Sequence, residues 1–183
     1  MSSLLFDGDE LSLTLFDSNG TLKGRWSASN NGRPLSDHRV DSKEAFLQFL
    51  PDGEYPFSRS YSTHPKRHSG GQDTIDGKYG TLGTFVLDDV HIGGQVHKGL
   101  AVHAGRSNVY DTVRVSSKPL FVTHNRGADY RTQGCIRTTE PAMEAIAHLA
   151  RKDALTVLKV RNNGRHPIGK SENGKAERLS PTN

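Results

Sequence analysis

The sequence contains very little cysteine and no long apolar stretch, and each shortage excludes a class of protein. A single cysteine occurs in 183 residues, so no disulfide can form within the chain and cysteine usage does not indicate a redox compartment. No apolar run approaches the roughly 20 residues of a membrane-spanning helix. The N-terminus lacks a basic segment followed by an apolar one, so we expect no secretory signal peptide. The protein is then expected to be made in the cytoplasm and either to remain there or to leave by a specialised secretion route.

Apolar and aromatic residues are also scarce, at 33% and 7% of the chain, and the mean hydropathy is −0.64. These values fit one domain with a polar surface and some disordered ends better than a fully disordered chain. Nineteen glycines and few helical patterns favour turns and strands. The net charge of +4 and the pI of about 9.3 are compatible with several anionic partners and do not choose among them.

Alternating residue patterns predict strands along much of the chain. Residues 4–26 show a β-hairpin pattern, in which Leu11, Leu13 and Leu15 recur at every second position. Asn19 and Gly20 suit the turn because both tolerate positive φ. Further strands are expected at 81–87, 91–98 (with a bend at 93–94), 99–106, 112–115, 120–123 and 154–160.

Residues 139–152 show the clearest helical pattern. Thr139 can cap this helix, Glu140 suits the positive end of its dipole, and Pro141 is tolerated in the first turn. A second short helix is predicted at 42–50. We therefore expect a mainly β fold with one or two short helices, forming one domain over residues 1–160 and followed by a mobile polar tail over 161–183.

Cys135 is the residue on which we expect the chemistry to depend. A lone cysteine is more often a small buried apolar residue, but polar neighbours and nearby arginines are a poor setting for an apolar core strand. Nearby positive charge lowers the pKa of a thiol and favours the reactive thiolate. Gly134 allows a tight backbone, and the N–H groups of Gly134 and Cys135 could stabilise an oxyanion. Thr132 can fix the loop by side-chain hydrogen bonds.

Two of the nine histidines are candidates for the base that would deprotonate the thiol. His103 ends an apolar strand, which would hold it rigidly, and His124 lies eleven residues before Cys135. We favour His103 and keep His124 open, and a structural histidine is the alternative for either. Arg137 could bind a substrate carboxylate through two parallel hydrogen bonds, or it could form a salt bridge or occupy a solvated strand position.

A metal site is not expected. His64 and His68 have the spacing of helical ligands, but Pro65 disfavours a helix at this position. No glutamate or cysteine accompanies the two histidines, and no HExxH or paired-cysteine motif occurs. We therefore expect an exposed loop there and no metal or other cofactor.

Residues 132–137, Thr-Gln-Gly-Cys-Ile-Arg, resemble the active-site signature of the YkuD-type L,D-transpeptidases. In that family a serine or threonine, usually a histidine, and then Gly-Cys, an aliphatic residue and Asn or Arg follow a strand that carries Ile-His-Gly. Residues 100–105 look like that strand, and residues 51–55 are similar to the family's Thr-Pro-x-Gly-x-Phe segment. Two features depart from the family: Gln133 replaces the usual histidine, and 28 residues separate His103 from Thr132, so an insertion must loop out.

The resemblance implies a YkuD-like L,D-transpeptidase β-sandwich and a cysteine L,D-transpeptidase or L,D-carboxypeptidase. It implies peptidoglycan stem peptides as substrates, rather than nucleic acid, and a thioester acyl-enzyme. The expected catalytic residues are Cys135, His103, Gly134 and Thr132. The expected substrate-binding residues are Arg137, Arg106, His124 and Gln133.

The chain also resembles type VI secretion effectors of this fold, which damage a rival's peptidoglycan in the periplasm. That likeness implies an immunity protein and a partner in the secretion apparatus. Two other functions stay open at this point. One is a cell-wall-binding or interaction domain that has lost catalysis, and the other is a cysteine peptidase that acts on proteins, since Cys and His serve both chemistries.

Overall fold

The computed structural model describes residues 1–30, 49–66, 79–80, 82–92, 94–104, 112–115, 118–121, 134–163, 168–170 and 176–178. Within these ranges the chain forms fourteen strands and one helix, so the predicted mainly β fold class is confirmed. The second predicted helix, at 42–50, lies almost entirely outside the described residues. Within the same ranges, no helix is both long enough and apolar enough to cross a membrane.

The larger sheet joins strands that are far apart in the sequence. Its members are β1 (Ser2–Asp7), β2 (Ser12–Phe16), β3 (Leu22–Ser27), β4 (Gly53–Pro56) and β12 (Leu155–Arg161). Their order is β3-β2-β1-β12-β4, with β1 parallel to β12 and every other neighbouring pair antiparallel. The predicted hairpin is confirmed as β2 and β3, and Gly20 in its turn has a φ of 77°, in the region that glycine favours.

The smaller sheet contains the strand that carries His103 and the strand that begins directly after Cys135. It consists of β5 (Thr84–Val86), β8 (Ala101–Ala104) and β11 (Ile136–Thr138). The central strand β8 pairs with β5 in antiparallel fashion and with β11 in parallel fashion. The parallel pair brings together two stretches that are more than 30 residues apart, which no local pattern in the sequence specifies.

Three antiparallel pairs complete the described strands. They are β6 with β7 (Val90–Ile92 and Gln95–His97), β9 with β10 (Thr112–Val115 and Lys118–Phe121), and β13 with β14 (Ile168–Lys170 and Ala176–Arg178). The first pair lies on either side of the bend predicted at 93–94 and, apart from Val90, within the extended segment predicted at 91–98. The division into a domain at 1–160 and a tail at 161–183 stays a prediction, and Asn163 is buried.

Helix α1 (Glu140–Ala150) follows β11 directly. Thr139 is its N-cap and accepts a hydrogen bond on Oγ1 from the N–H of Ala142, at 3.3 Å. The sequence therefore predicted both this helix and the residue that caps it. The buried face consists of Ala142, Met143, Ile146, Ala147 and Ala150.

One apolar core connects the two main sheets and α1. Leu4 and Phe6 of β1 share it with Phe85 of β5, Val102 of β8 and Met143 of α1, and all five are fully buried. Burying one such side chain contributes about 1.5–3 kcal/mol to folding. Because β8 and β11 belong to this core, the residues at their ends are held on a rigid base.

Candidate active site

Cys135 lies at the entrance to β11, between Gly134 and the first residue of the strand. Its side chain is partly exposed, and Sγ lies 4.0 Å from the carbonyl oxygen of Gly99. Gly134 is buried and has a φ of 102°, a conformation that strains any residue with a Cβ. The turn before β11 therefore needs glycine at this position, and it presents the thiol at the edge of the core.

The parallel pairing of β8 and β11 places the histidine and the cysteine on neighbouring strands. Ile136 is in register with Val102, and Arg137 is in register with His103. Paired residues point to the same face of a sheet, and so do residues two apart along a strand. His103 and Arg137 therefore share a face, and Cys135 comes two residues before Arg137 at the mouth of the same strand pair.

His103 is held rigidly and in one orientation. Its side chain is only 2% exposed, and Nδ1 lies 2.6 Å from the carbonyl oxygen of Ala104. A carbonyl can only accept, so Nδ1 carries the proton and Nε2 is the basic nitrogen of the neutral ring. The ring of Tyr79 packs against the imidazole edge to face, with centroids 5.1 Å apart. This arrangement has the rigidity and the tautomer that a general base requires.

Arg137 is also buried, with 7% of its surface exposed. Its backbone N–H donates to the carbonyl of Ser29 and its carbonyl accepts from the N–H of Ser29, both at 2.8 Å. Thr138 Oγ1 donates to the carbonyl of Ser27 at 2.9 Å. The segment that follows β3 thus pairs with β11 on the side opposite β8, and the cysteine strand is fixed along both edges.

Asn30 contacts the cysteine turn directly, and sequence reasoning did not single it out. Its side chain is fully buried, and Nδ2 donates to the carbonyl oxygens of Gly134 at 2.8 Å and Cys135 at 3.0 Å. Asn30 lies in a polar stretch that is typical of an ordinary loop, and it precedes Gly134 by 104 positions. No local signal links the two positions, so only the fold reveals the contact.

The segment at 51–55, which the resemblance singled out, supports the same region. Both carboxylate oxygens of Asp52 accept backbone hydrogen bonds, from Asn162 at 2.9 Å and from Asn163 at 2.8 Å. The Tyr55 hydroxyl donates to the carbonyl of Pro51 at 2.7 Å. Burial, with the negative charge of Asp52, raises the pKa of Tyr55, so this donor keeps its proton at neutral pH.

The structure therefore brings Cys135, Gly134, His103 and Arg137 together at the junction of β8 and β11. Four other predicted site residues lie outside the described residues, and their roles stay predictions: Thr132, Gln133, Arg106 and His124. His68 also lies outside them. Within the described part of the chain, no three side chains of His, Cys, Asp or Glu come together as a metal site would require.

The sequence matches no protein-family model and no curated protein. In structure the chain is similar to an L,D-transpeptidase (residues 123–326) from Xylanimonas cellulosilytica, with 18% identity, a TM-score of 0.44 and 87% of this chain covered. It is similar to Bd1075 of Bdellovibrio bacteriovorus, with 16% identity, a TM-score of 0.48 and 98% coverage. It is also similar to an L,D-transpeptidase (Yku) from Stackebrandtia nassauensis, with 10% identity, a TM-score of 0.40 and 88% coverage.

The chain spans only part of each of these structures, namely 59%, 50% and 56% of their lengths in the same order. No TM-score among them exceeds 0.48.

Proposed function

We propose that this chain is a cysteine L,D-transpeptidase or L,D-carboxypeptidase that acts on peptidoglycan stem peptides. The observation that carries the proposal is the placement of a partly exposed thiol, behind a glycine with positive φ, beside the strand of a buried histidine. Nδ1 of that histidine is bound to a backbone carbonyl, which orients Nε2 as a base. The residues around Cys135 resemble the family signature, which supports the choice of substrate.

In the first half-reaction, His103 takes the thiol proton and the Cys135 thiolate attacks the carbonyl carbon of the L,D bond. The tetrahedral oxyanion collapses, the C–N bond breaks, and the imidazolium returns the proton to the leaving amine of the terminal D-residue. The product is a thioester between Cys135 and the shortened stem.

In the second half-reaction, an amine of a D-amino acid or of another stem attacks the thioester carbonyl. The imidazole takes the proton of the incoming amine, and the thiolate leaves and is protonated again. Water in place of the amine gives hydrolysis, which is the carboxypeptidase outcome. The Ala104 carbonyl stabilises the imidazolium in both halves because it accepts a hydrogen bond from Nδ1–H throughout.

Arg137 contributes positive charge to the face that it shares with His103. That charge favours the thiolate and would attract an acidic group of the stem peptide. The net charge of +4 would likewise suit an anionic wall polymer.

The direct test is incubation of the protein with purified muropeptides, followed by mass spectrometry. We expect loss or exchange of the terminal D-residue with wild type and neither with Cys135→Ala. Identical products from the two proteins would refute the enzymatic function. Binding to sacculi without any product would instead favour the wall-binding domain, for which Gln133 in place of the family's histidine is the motivating feature.

We further propose that the site of action is the periplasm of a rival cell, as for the effectors that the chain resembles. Expression with an added secretion signal should then cause lysis of a bacterial host, and expression without it should not. Cys135→Ala is the matched control. Equal growth of the exporting strains with and without the thiol would count against this delivery.

A further inference from the structure

The Asn30 side chain uses every hydrogen bond that an amide can make. Its two Nδ2 protons go to the carbonyl oxygens of Gly134 and Cys135, at 2.8 Å and 3.0 Å. Its Oδ1 accepts from the backbone N–H of Leu50 and from Nδ2 of Asn163, the latter at 2.7 Å. A fully satisfied and fully buried amide is fixed in one orientation.

The side-chain amide of Asn163 holds the Asn30 amide in place through its hydrogen bond to Oδ1. Asn163 Nδ2 also donates to the carbonyl of Leu50 at 2.6 Å, and the backbone N–H of Asn163 donates to Asp52. Asn163 is itself 2% exposed. Asn30 is thus connected to the start of the 51–55 segment and to the residues that follow β12, and its position depends on the folded core.

These hydrogen bonds set the direction of the two peptide planes that flank Cys135. A trans peptide is planar, with its carbonyl and its N–H pointing in opposite directions. The Gly134 carbonyl shares its plane with the Cys135 N–H, and the Cys135 carbonyl shares its plane with the Ile136 N–H. Because Asn30 holds both carbonyls, both N–H groups point away from it. One of them is the N–H of the nucleophile itself.

We propose that Asn30 is a positioning residue that aims the Cys135 N–H at the oxyanion formed when the thiolate attacks a carbonyl. The inference rests on the proposed function and adds to it a residue outside the cysteine motif. Asn163 stabilises this orientation of the Cys135 N–H indirectly, through its hydrogen bond to Asn30. The amide pair costs no reorganisation during the reaction, which is how preorganised donors act.

The test compares two reactions of the same thiol. Under the proposed function a carbapenem should acylate Cys135 through a tetrahedral oxyanion, whereas iodoacetamide should alkylate it at a saturated carbon and form no oxyanion. Intact-mass spectrometry gives both rates for wild type, Asn30→Ala and Asn30→Asp. The aspartate keeps an oxygen for Leu50 and Asn163 but replaces the amide donor that faces the two carbonyls. Ser2→Ala is the control, because it removes the hydrogen bond that another buried side chain donates to a backbone carbonyl, that of Asp153, at a different place.

We expect both Asn30 variants to lower the acylation rate roughly tenfold to hundredfold, less than the loss of a whole oxyanion donor, with alkylation within about twofold of wild type. Ser2→Ala should leave the ratio of the two rates unchanged. If acylation and alkylation fall in proportion, or if neither changes, the inference is overturned.

If the Asn30 variants do not fold, Asn163→Ala provides the test, because it removes one donor to Asn30 Oδ1. It should lower the ratio of acylation rate to alkylation rate, by a smaller factor than the Asn30 variants. An unchanged ratio in that variant would overturn the inference.

The wild-type rates separate this inference from the proposed function. A wild-type protein that is alkylated but never acylated refutes the proposed function, and the inference with it. A wild-type protein that is acylated, together with Asn30 variants whose two rates change in parallel, refutes only the role of Asn30.

Discussion

His103 lies directly opposite Arg137 in the parallel pair of β8 and β11, and Cys135 comes two residues before that arginine. The register of this pair is unbroken from Ile136 opposite Val102 to Thr138 opposite Ala104. The sheet therefore sets the position of His103 relative to the strand that begins directly after Cys135, and the turn at Gly134 sets the direction of the thiol. The consequences of this arrangement can be tested one residue at a time.

Replacement of His103 should remove the base. We expect His103→Ala to lower the rate of Cys135 acylation at pH 7 by about 10²–10⁴-fold, the usual contribution of general acid–base catalysis. The pH–rate profile should lose the limb that reports the imidazole. His148→Ala, in an exposed part of α1, is the matched control and should match wild type. If His124→Ala produces the large loss and His103→Ala does not, the base has been assigned to the wrong histidine.

Alanine substitutions at two glycines with positive φ should affect the free energy of unfolding and the acylation rate differently. Gly134→Ala should lower the free energy of unfolding by about 1–3 kcal/mol and slow acylation, because its φ of 102° is strained for alanine and the strain is at the nucleophile. Gly20→Ala, at a φ of 77° in an open turn, should cost about 1 kcal/mol and leave acylation unchanged. Chemical denaturation and adduct mass measure the two effects. Unaltered acylation in Gly134→Ala would mean that this turn does not orient the thiol.

Asp7 should make stability depend on pH in the acid range. Burial alone would raise the pKa of Asp7, but hydrogen bonds from the Arg161 side chain and from the backbone of Glu10 outweigh it and lower the pKa below 3.8. A lowered folded pKa means that the carboxylate stabilises the fold above pH 3.8 and that this contribution is lost as the pH falls through the folded pKa.

Asp7→Asn should accordingly lower the free energy of unfolding at pH 7 by about 1–2 kcal/mol and flatten its decline below pH 4. Urea denaturation at a series of pH values measures both. Asp89→Asn is the control, because the Asp89–Lys98 pair is exposed and should contribute less than about 0.5 kcal/mol. Equal acid dependence of wild type and Asp7→Asn would show that the Arg161 contact does not favour the charged carboxyl.

Local sequence patterns were sufficient for some elements. The recurring leucines of β2 and the Asn19–Gly20 turn predicted the hairpin, and Thr139 with Pro141 predicted the start of α1. In each case the residues that form the pattern lie within a few positions of the element that they predict. The strand that carries His103 was predicted for the same reason, from its own apolar run.

Other features depend on contacts across long stretches of chain, and the sequence alone could not supply them. Nothing in β1 predicts that it lies parallel to β12, about 150 residues later. Asn30 lies in a polar stretch typical of a loop and Asn163 lies in the predicted polar tail. An asparagine in an isolated segment looks the same whether it is solvated or buried. Only the folded structure shows that both side chains are buried, because it brings Asn163 Nδ2 within 2.7 Å of Asn30 Oδ1 beside the cysteine turn.

The acyl-enzyme tests the central claim most directly. Wild type should be mixed with an L,D-linked stem tetrapeptide, quenched in acid and weighed intact. We predict a mass increase equal to the tetrapeptide minus the released terminal D-amino acid, which is the shortened stem less one water. This mass should be localised to Cys135, removed by hydroxylamine as a thioester would be, and absent from Cys135→Ala. A wild-type protein that never gains this mass, or a Cys135→Ala variant that gains it equally, would contradict the account.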